Sequence, residues 1–455
     1  MSQMLKEKEI LKMESIIELA KKNGASSSEV IYKNRSDNPV SFENNKLKSL
    51  ESNQTSGIAV RLIKNNKIGI ASSTDPDALE NIVSSAIEAS EYGVEATFEF
   101  AKENLNNCRD GINPVSVEAS HATPLRPNLE NLVDCGTKVI DSLRSFHKDI
   151  VISGGFDAGN METIYLNSNG VFGKRKKSIY SLSFSALLVQ DNDFLGIYDG
   201  ESSLDNYPDE IKIKDKIFEK LNLSRNMIHL ETNKYNVIFT PRAVAGIFGE
   251  ILGVILNGKL IQQKISPLVD KLGKELFDKK LSFIEDPTAG TSLSPFDDEG
   301  IKTTKKSLIK EGVINSFYFD LSSASKNLPR QDSTGNGFKS SLSTPPVPGL
   351  TSLLINPGRT NHQELIKGIK NGVLVDQVLG AGQSNTLAGE FSVGIDLGFK
   401  IEQGEIKGRI KNCMLAGNIF EVLKNISQIS SDQEWVGGNM NFPYFLIEGI
   451  TVIGK

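Results

Sequence analysis

Metal-dependent and acid–base hydrolysis most often start from histidine, and this chain of 455 residues has four: His121, His147, His229 and His362. No two stand close enough in sequence to form a local metal motif. Each reads as a surface or structural residue, and His147 closes a helical stretch where a terminal cation is favoured. A site assembled from distant histidines stays open at this level. The cysteines Cys108, Cys135 and Cys413 are scattered, with neither a CxxC pair nor a disulfide framework. Cys413 reads as a small buried apolar side chain. The densest acidic cluster is Asp297-Asp298-Glu299, followed by Gly300. In an extended segment Asp297 and Glu299 share one side. Three uses are open to the cluster: a turn with salt bridges, a divalent cation, or contact with a peptide substrate. The structural use is preferred. Ser323, Ser325 and Ser333 have no nearby histidine base, which argues against a serine hydrolase. The loop Ser333–Gly337 (STGNG), with Asn336 as a candidate substrate or structural contact, lacks the lysine of a phosphate loop and matches no dinucleotide fingerprint.

The elements that must position these residues follow from periodicity. Leu11, Ile16, Leu19 and Ala20 lie on one predicted helical face, stopped by Asn23-Gly24. Gly57–Ile63 and Ile68–Ala71 form a hairpin around Lys64-Asn65-Asn66-Lys67. Thr74 and Asp77 resemble a capping pair, with Pro76 in the first turn of a helix whose apolar face is Leu79, Ile82, Val83, Ala86 and Ile87. Residues 94–126 read as a long irregular connection. A helix over Leu129–Phe146 and strands through Leu188 follow, with Tyr180, Leu182, Phe184, Ala186 and Leu188 on one buried face. Helix-then-hairpins thus recurs at 11–72 and 129–189, as a duplication or as ordinary α+β order. A helix over 208–222, with Pro208 in its first turn, leads to a passage at 222–231.

In the second half, Asn236–Phe239 reads as a buried strand and Pro241 as a helix start. Val244, Ile247, Phe248, Ile251, Leu252 and Ile255 make the apolar face of that helix. Gly246, Gly249 and Gly253 each cost about 1 kcal/mol there relative to alanine. Close packing explains them better than an irregular helix. Thr360 and Gln363 form a capping-box pattern for a helix through Ile369. Phe391, Val393, Ile395, Leu397, Phe399 and Ile401 alternate without a break, which predicts a large antiparallel sheet with an apolar face. Trp435, the only tryptophan, is either an interface anchor or a core residue. The expected fold is α+β in two domains. Residues 1–225 form an N-terminal domain of helices on a β-sheet, and 226–455 a C-terminal domain dominated by a large antiparallel sheet with peripheral helices.

A net charge of −5 with 24% charged residues does not suggest nucleic-acid binding. No stretch approaches 18 apolar residues, and the N-terminus carries no export signal, so no membrane span and a cytoplasmic location are expected.

The stretches TPRAVAGIFGEILGVI, SPFDDEGIKTTKKSLIKEGVINSFYFDLSSASK, STGNG, LLINPGRT, GEFSVGIDLGFKIEQGEIKGRIKNCMLAGNIFEVL and ITVIGK stand in an order that resembles the TldD/PmbA family. The likeness is to its PmbA branch, also called TldE and historically labelled a modulator of DNA gyrase. It covers nearly the whole chain and is strongest over 237–455. The active TldD branch looks like a zinc peptidase with an HExxxH helix and a distal ligand cysteine. Carried onto this sequence, the resemblance puts Ala245 at the first histidine, Gly246 at the glutamate and Glu250 at the second histidine. Residues 236–260 contain no histidine in any register. The segment comparable to the cysteine-bearing one, residues 433–449, contains no cysteine.

The resemblance therefore implies no catalytic residue, metal or cofactor in this chain, and zinc in a TldD-like metallopeptidase subunit with which it forms a heterodimer. It implies proteolysis of unfolded or small peptides within an enclosed chamber. A homodimer is possible when the chain is purified alone. The same resemblance links the family to peptide-antibiotic maturation and antitoxin degradation, and makes the gyrase label an indirect effect. Two alternatives remain: a homodimeric peptide-binding or structural protein, and an independent peptidase whose site is rebuilt from Glu250, Asp297, Asp298 and distant histidines.

Overall fold

The computed structural model describes residues 2–75, 77–102, 129–191, 193–327, 329–383 and 385–454. Pro76, Cys108, His121 and most of the expected irregular connection over 94–126 lie outside them.

The first half builds one sheet with helices on it. In chain order the elements are α1 (Ser2–Lys22), β1 (Ser27–Asp37), β2 (Val40–Glu43), β3 (Lys46–Leu50), β4 (Asn53–Lys64) and β5 (Lys67–Ser73). Then come α2 (Leu79–Glu91), α3 (Leu129–Arg144), β6 (Val151–Asn167), β7 (Phe172–Gln190), β8 (Asp193–Ser203) and α4 (Glu210–Leu223). The strand order is β3-β2-β6-β1-β4-β5, with β7 on β6 and β8 on β7. Asn65 and Asn66 take φ of 51° and 61°, so the predicted hairpin closes with the left-handed pair that matches strand twist. One face of the sheet carries Val30, Tyr32, Ile58, Val60, Leu62 and Ile164, packed on Met13, Ile16 and Ala20 of α1 and on Ile82, Val83 and Ala86 of α2.

Three local expectations change. Leu11 is 60% exposed, and Met13 is buried in its place. The Thr74–Asp77 capping pair does not form: α2 starts after Ala78 with no side-chain cap, and the Asp77 carboxylate instead meets the Lys12 ammonium at 2.9 Å. Pro208 stands before the cap of α4, where the Asp209 side chain accepts from the Ile211 and Lys212 amides.

The second half builds a twelve-stranded sheet. It is mostly antiparallel. Its parallel pairs are Asn233–Phe239 with Asn371–Leu379, Leu353–Ile355 with Met440–Ile453, and Glu405–Ile410 with Met227–Ile228. Both faces are covered. Val237 and Phe239 enter one core, while Ile238 enters another that also holds Ile140 of α3, Ile213 of α4 and Phe184 of β7. That second core draws on both halves of the chain.

The alternating run 391–401 does not sit on one face. Register slips on both sides of Gln377, where its strand pairs with Glu390–Glu402, and this irregularity reverses which way later residues point. Phe391, Val393 and Ile395 join the first core, and Leu397, Phe399 and Ile401 the second. The helix His362–Lys367 is capped by Asn361, whose side chain accepts from the Glu364 amide, not by Thr360, whose backbone bridges to Ser430. Trp435 is half-buried beside Gly290.

Candidate functional site

The helix singled out by the sequence begins at Pro241, behind the Thr240 cap. Residues Ala245–Gly249 then form a π-turn before regular helix resumes over Glu250–Ile255. The Glu250 amide donates to the Ala245 carbonyl, five residues back. Phe248 anchors the turn, with ring centroids 5.1 Å from Phe239, 5.9 Å from Phe391 and 6.2 Å from Phe445. Only one of the three glycines is there for close packing. A side chain on Gly249 would start 2.8 Å from Phe442, whereas Gly246 and Gly253 have no neighbour nearer than Val378 at 3.7 Å and Leu350 at 3.9 Å. The helix is irregular as well as closely packed. Ala245 is buried, Gly246 is half-buried and Glu250 is exposed.

The π-turn matters for the HExxxH spacing. Residues five apart on an α-helix stand about 140° apart around the axis. An i→i+5 turn brings them nearer one side, and such turns recur at functional sites. Here that backbone arrangement holds a methyl group at 245, no side chain at 246 and one carboxylate at 250. This donor set does not fit zinc, which takes four nitrogen, sulfur or oxygen ligands, or three with an open position. Among the described residues no three His, Cys, Asp or Glu side chains gather in a metal-holding group. His362 bonds Asp432 and stacks on Tyr444, and His147 meets Gln190.

The acidic cluster lies elsewhere, between the two halves. It forms a turn rather than the extended segment in which Asp297 and Glu299 would share one side. The Gly300 amide donates to the Asp297 carbonyl, and the Asp297 amide donates to the Ile301 carbonyl at 2.9 Å. The Asp297 carboxylate accepts from the amides of Glu299, Ile301 and Gly337. Gly300, at φ +72°, packs where a side chain would strike the Tyr165 ring. The turn sends its three carboxylates to different partners, and all three are at most 1% exposed.

The partners come from one face of the first sheet. Register sets Glu29 against Arg61, Lys33 against Thr163, and Thr163 against Arg175. Asp298 accepts from Lys33 at 2.8 Å and Arg175 at 2.6 Å. Arg61 donates to Glu29 at 2.7 Å and Glu299 at 3.0 Å, with its guanidinium 5.1 Å from the ring centroids of both Phe98 and Phe100. Tyr165 donates to Glu29 at 2.9 Å.

Three cations thus face four carboxylates. Burial favours the neutral form of Asp298, but Arg175 and Lys33 outweigh it and hold that carboxyl below the usual range. Burial raises Asp297 and Glu299 above the usual range; backbone amides oppose this at Asp297 and Arg61 opposes it at Glu299. Burial thus favours the protonated form at both groups.

Asn336 is fully buried and its amide is committed. Nδ2 donates to Glu285 and the Gly349 carbonyl, each at 2.8 Å, and Oδ1 accepts from Lys306 at 2.8 Å and Thr334 at 2.7 Å. Ser323 serves as a bonding partner of the helix-capping Asp320. Cys413 lies in the first core.

Sequence reasoning missed the cationic half of the junction: Lys33, Arg61 and Arg175, with Glu29 as their companion. A signal was present. Arg61 interrupts the apolar run GIAVRLI, and a charge inside a buried strand requires a partner.

Comparison with known proteins matches this architecture throughout. The sequence pattern of the PmbA/TldA metallopeptidase C-terminal domain matches residues 232–454, and that of PmbA/TldA metallopeptidase domain 1 matches residues 28–90. A protein named Metalloprotease PmbA homolog in Buchnera aphidicola is 27% identical, over 90% of this chain and 90% of its own length. Metalloprotease PmbA of Escherichia coli O157:H7 is 26% identical, over 87% of this chain and 85% of its own length. Among solved structures, TldE from Thermococcus kodakarensis superposes with a TM-score of 0.87 at 25% identity, covering 97% of this chain and 100% of that one. A putative modulator of DNA gyrase from Bacteroides thetaiotaomicron, at 22% identity and a TM-score of 0.85 over 98% of each chain, shares the fold. The chain belongs to the TldD/PmbA metallopeptidase family, in its TldE or gyrase-modulator branch.

Proposed function

We propose that this chain is the non-catalytic partner subunit of a TldD-like zinc metallopeptidase, forming a cytoplasmic heterodimer that cleaves small or unfolded peptides in an enclosed chamber. The observation that carries the reading is the 241–255 helix. It has the i→i+5 turn that suits an HExxxH pair, yet offers Ala245, Gly246 and Glu250 at the donor positions. The partner supplies the metal and the hydrolytic water. This chain supplies wall and shape, and its sheet edges offer backbone pairing to an extended peptide. A rebuilt independent site has little support, because Asp297 and Asp298 are buried in the junction while Glu250 is exposed.

The test is peptidase activity on an unfolded peptide with metal analysis, for this chain alone and mixed with the TldD-like protein of the same organism. Activity only in the mixture, with zinc held by the other chain, is expected. Zinc and activity in this chain alone refute the reading. An active mixture whose rate is independent of this chain supports the homodimeric binding protein instead.

A further inference from the structure

A second polar surface lies on the same face of the first sheet, beside the acidic turn. A cavity of about 210 Å³ opens between β7 and the 292–295 segment. Four cations line it: Lys33, Arg175, Lys176 and Lys177, and Lys176 stands 4.0 Å from the Glu162 carboxylate. Lys33 and Arg175 share one carboxylate, Asp298. The Lys177 ammonium donates to the Thr291 carbonyl at 2.7 Å and more weakly to that of Leu293 at 3.5 Å. Among the described residues no carboxylate lies within ion-pairing distance of it. The wall therefore carries excess positive charge on half-buried side chains, where an opposite charge interacts more strongly than in open water. Met161, Leu293, Pro295, Phe338 and Leu350 add an apolar side to the wall. Thr163, Ser292, Ser294 and Thr351 add hydroxyl groups.

We propose that this cavity binds the terminal α-carboxylate of a peptide, with Lys177 as the counter-ion and the apolar wall holding the last side chain. Size selects a chain end. The cavity is smaller than the roughly 300–1,000 Å³ that enclose a whole drug-sized ligand. One anion beside an apolar wall is the chemistry of a terminal residue. Leu350 connects the cavity to the 241–255 helix, since its Cδ1 lies 3.9 Å from where a side chain on Gly253 would begin. Burial, and secondarily Arg175, lower the Lys177 ammonium to about 8. Carboxylate binding therefore weakens as pH rises through that value. The assignment deepens the peptide-handling reading above and rests on it.

The test uses the full chain without partner or metal. Fluorescein-labelled Ala-Ala-Ala-Leu is titrated as the free acid and as the C-terminal amide, alongside amidated Ala-Ala-Glu-Leu, with anisotropy as the readout. The free acid is expected to bind more tightly than either amide by roughly ten- to a hundredfold, the range of one charge-assisted hydrogen bond. Lys177→Met should erase that difference, Lys177→Arg should retain part of it, and inorganic phosphate should compete poorly. Equal binding of acid and amide, no binding at all, or full discrimination by folded Lys177→Met overturns the proposal. Equal binding of the amidated glutamate peptide and the free acid moves the site to side-chain carboxylates and also overturns it. If Lys177→Met does not fold, the acid–amide comparison on the unaltered chain decides. An active mixture with the TldD-like partner, combined with no acid–amide difference here, sinks this proposal and leaves the partner-subunit reading intact. Lys177-dependent binding with an inactive mixture does the reverse.

Discussion

Replacing Arg61 with methionine tests whether the buried junction holds the two halves together. Arg61 is 4% exposed and serves Glu29 and Glu299 at once. Methionine fills similar space and rests well on the Phe98 and Phe100 rings, so the substitution removes charge more than volume. Both carboxylates then stay buried. Glu29 keeps the Tyr165 hydroxyl and Glu299 keeps the Leu321 amide. Removing one partner of a buried ion pair costs about 3–5 kcal/mol. Protonation relieves part of that cost, and burial already favours the protonated form of Glu299. The loss should therefore be largest in mildly alkaline buffer and smaller in acid. The assay is urea unfolding followed by far-UV circular dichroism and by Trp435 fluorescence, which reports from beside Gly290. Adding Glu29→Gln and Glu299→Gln to Arg61→Met should recover most of the loss, because no uncompensated charge remains. A cost below about 1 kcal/mol, or a triple variant no more stable than the single one, refutes the reasoning.

Other predictions follow from the same geometry. Asp297 and Glu299 titrate above the ordinary carboxylate range because they are buried. At these two groups the folded state therefore binds more protons than the unfolded one between about pH 4 and the raised values, and their contribution to stability falls as pH rises through that window. Asp298, held low by Arg175 and Lys33 against its burial, has the opposite sign: its contribution is lost as pH falls below about 4. Asp297→Asn should flatten the decline on the alkaline side in urea midpoints, and an unchanged slope would contradict the assignment. Gly249→Ala should cost about 1–3 kcal/mol, because its methyl meets Phe442. Gly246→Ala should be neutral or stabilising by up to about 1 kcal/mol; equal costs by thermal denaturation would mean that contact with Phe442 is not what separates them. Phe248→Ala should cost about 3–5 kcal/mol by chemical denaturation, since three aromatic neighbours lose their common partner.

Local patterns were legible where short-range physics decides. The Asn65-Asn66 turn, the strand 390–402, the Pro241 helix start and the burial of Cys413 follow from residue type and period. Capping was legible as a kind of residue near a helix start, but the position slipped from Thr360 to Asn361, since neighbouring polar side chains compete for the same amides. The three glycines of the 241–255 helix looked alike, yet Phe442, nearly two hundred residues later, singles out Gly249.

By itself the sequence determined which chemistry the chain lacks at the 241–255 helix and which elements it forms. No arrangement of alanine, glycine and one carboxylate supplies a zinc donor set, and hydrophobic period is a property of neighbours along the chain. Tertiary structure alone decided what the charges do. Asp297, Asp298 and Glu299 are adjacent in sequence, yet their partners Lys33, Arg61 and Arg175 come from strands more than 120 residues away. It also decided that an unbroken alternation from Phe391 to Ile401 serves two cores, because a register slip against a neighbouring strand reverses its facing. The burial that lifts Asp297, and the cations that hold Asp298 down, exist only once the two halves have closed on each other, because electrostatic strength depends on solvent exclusion and distance through space.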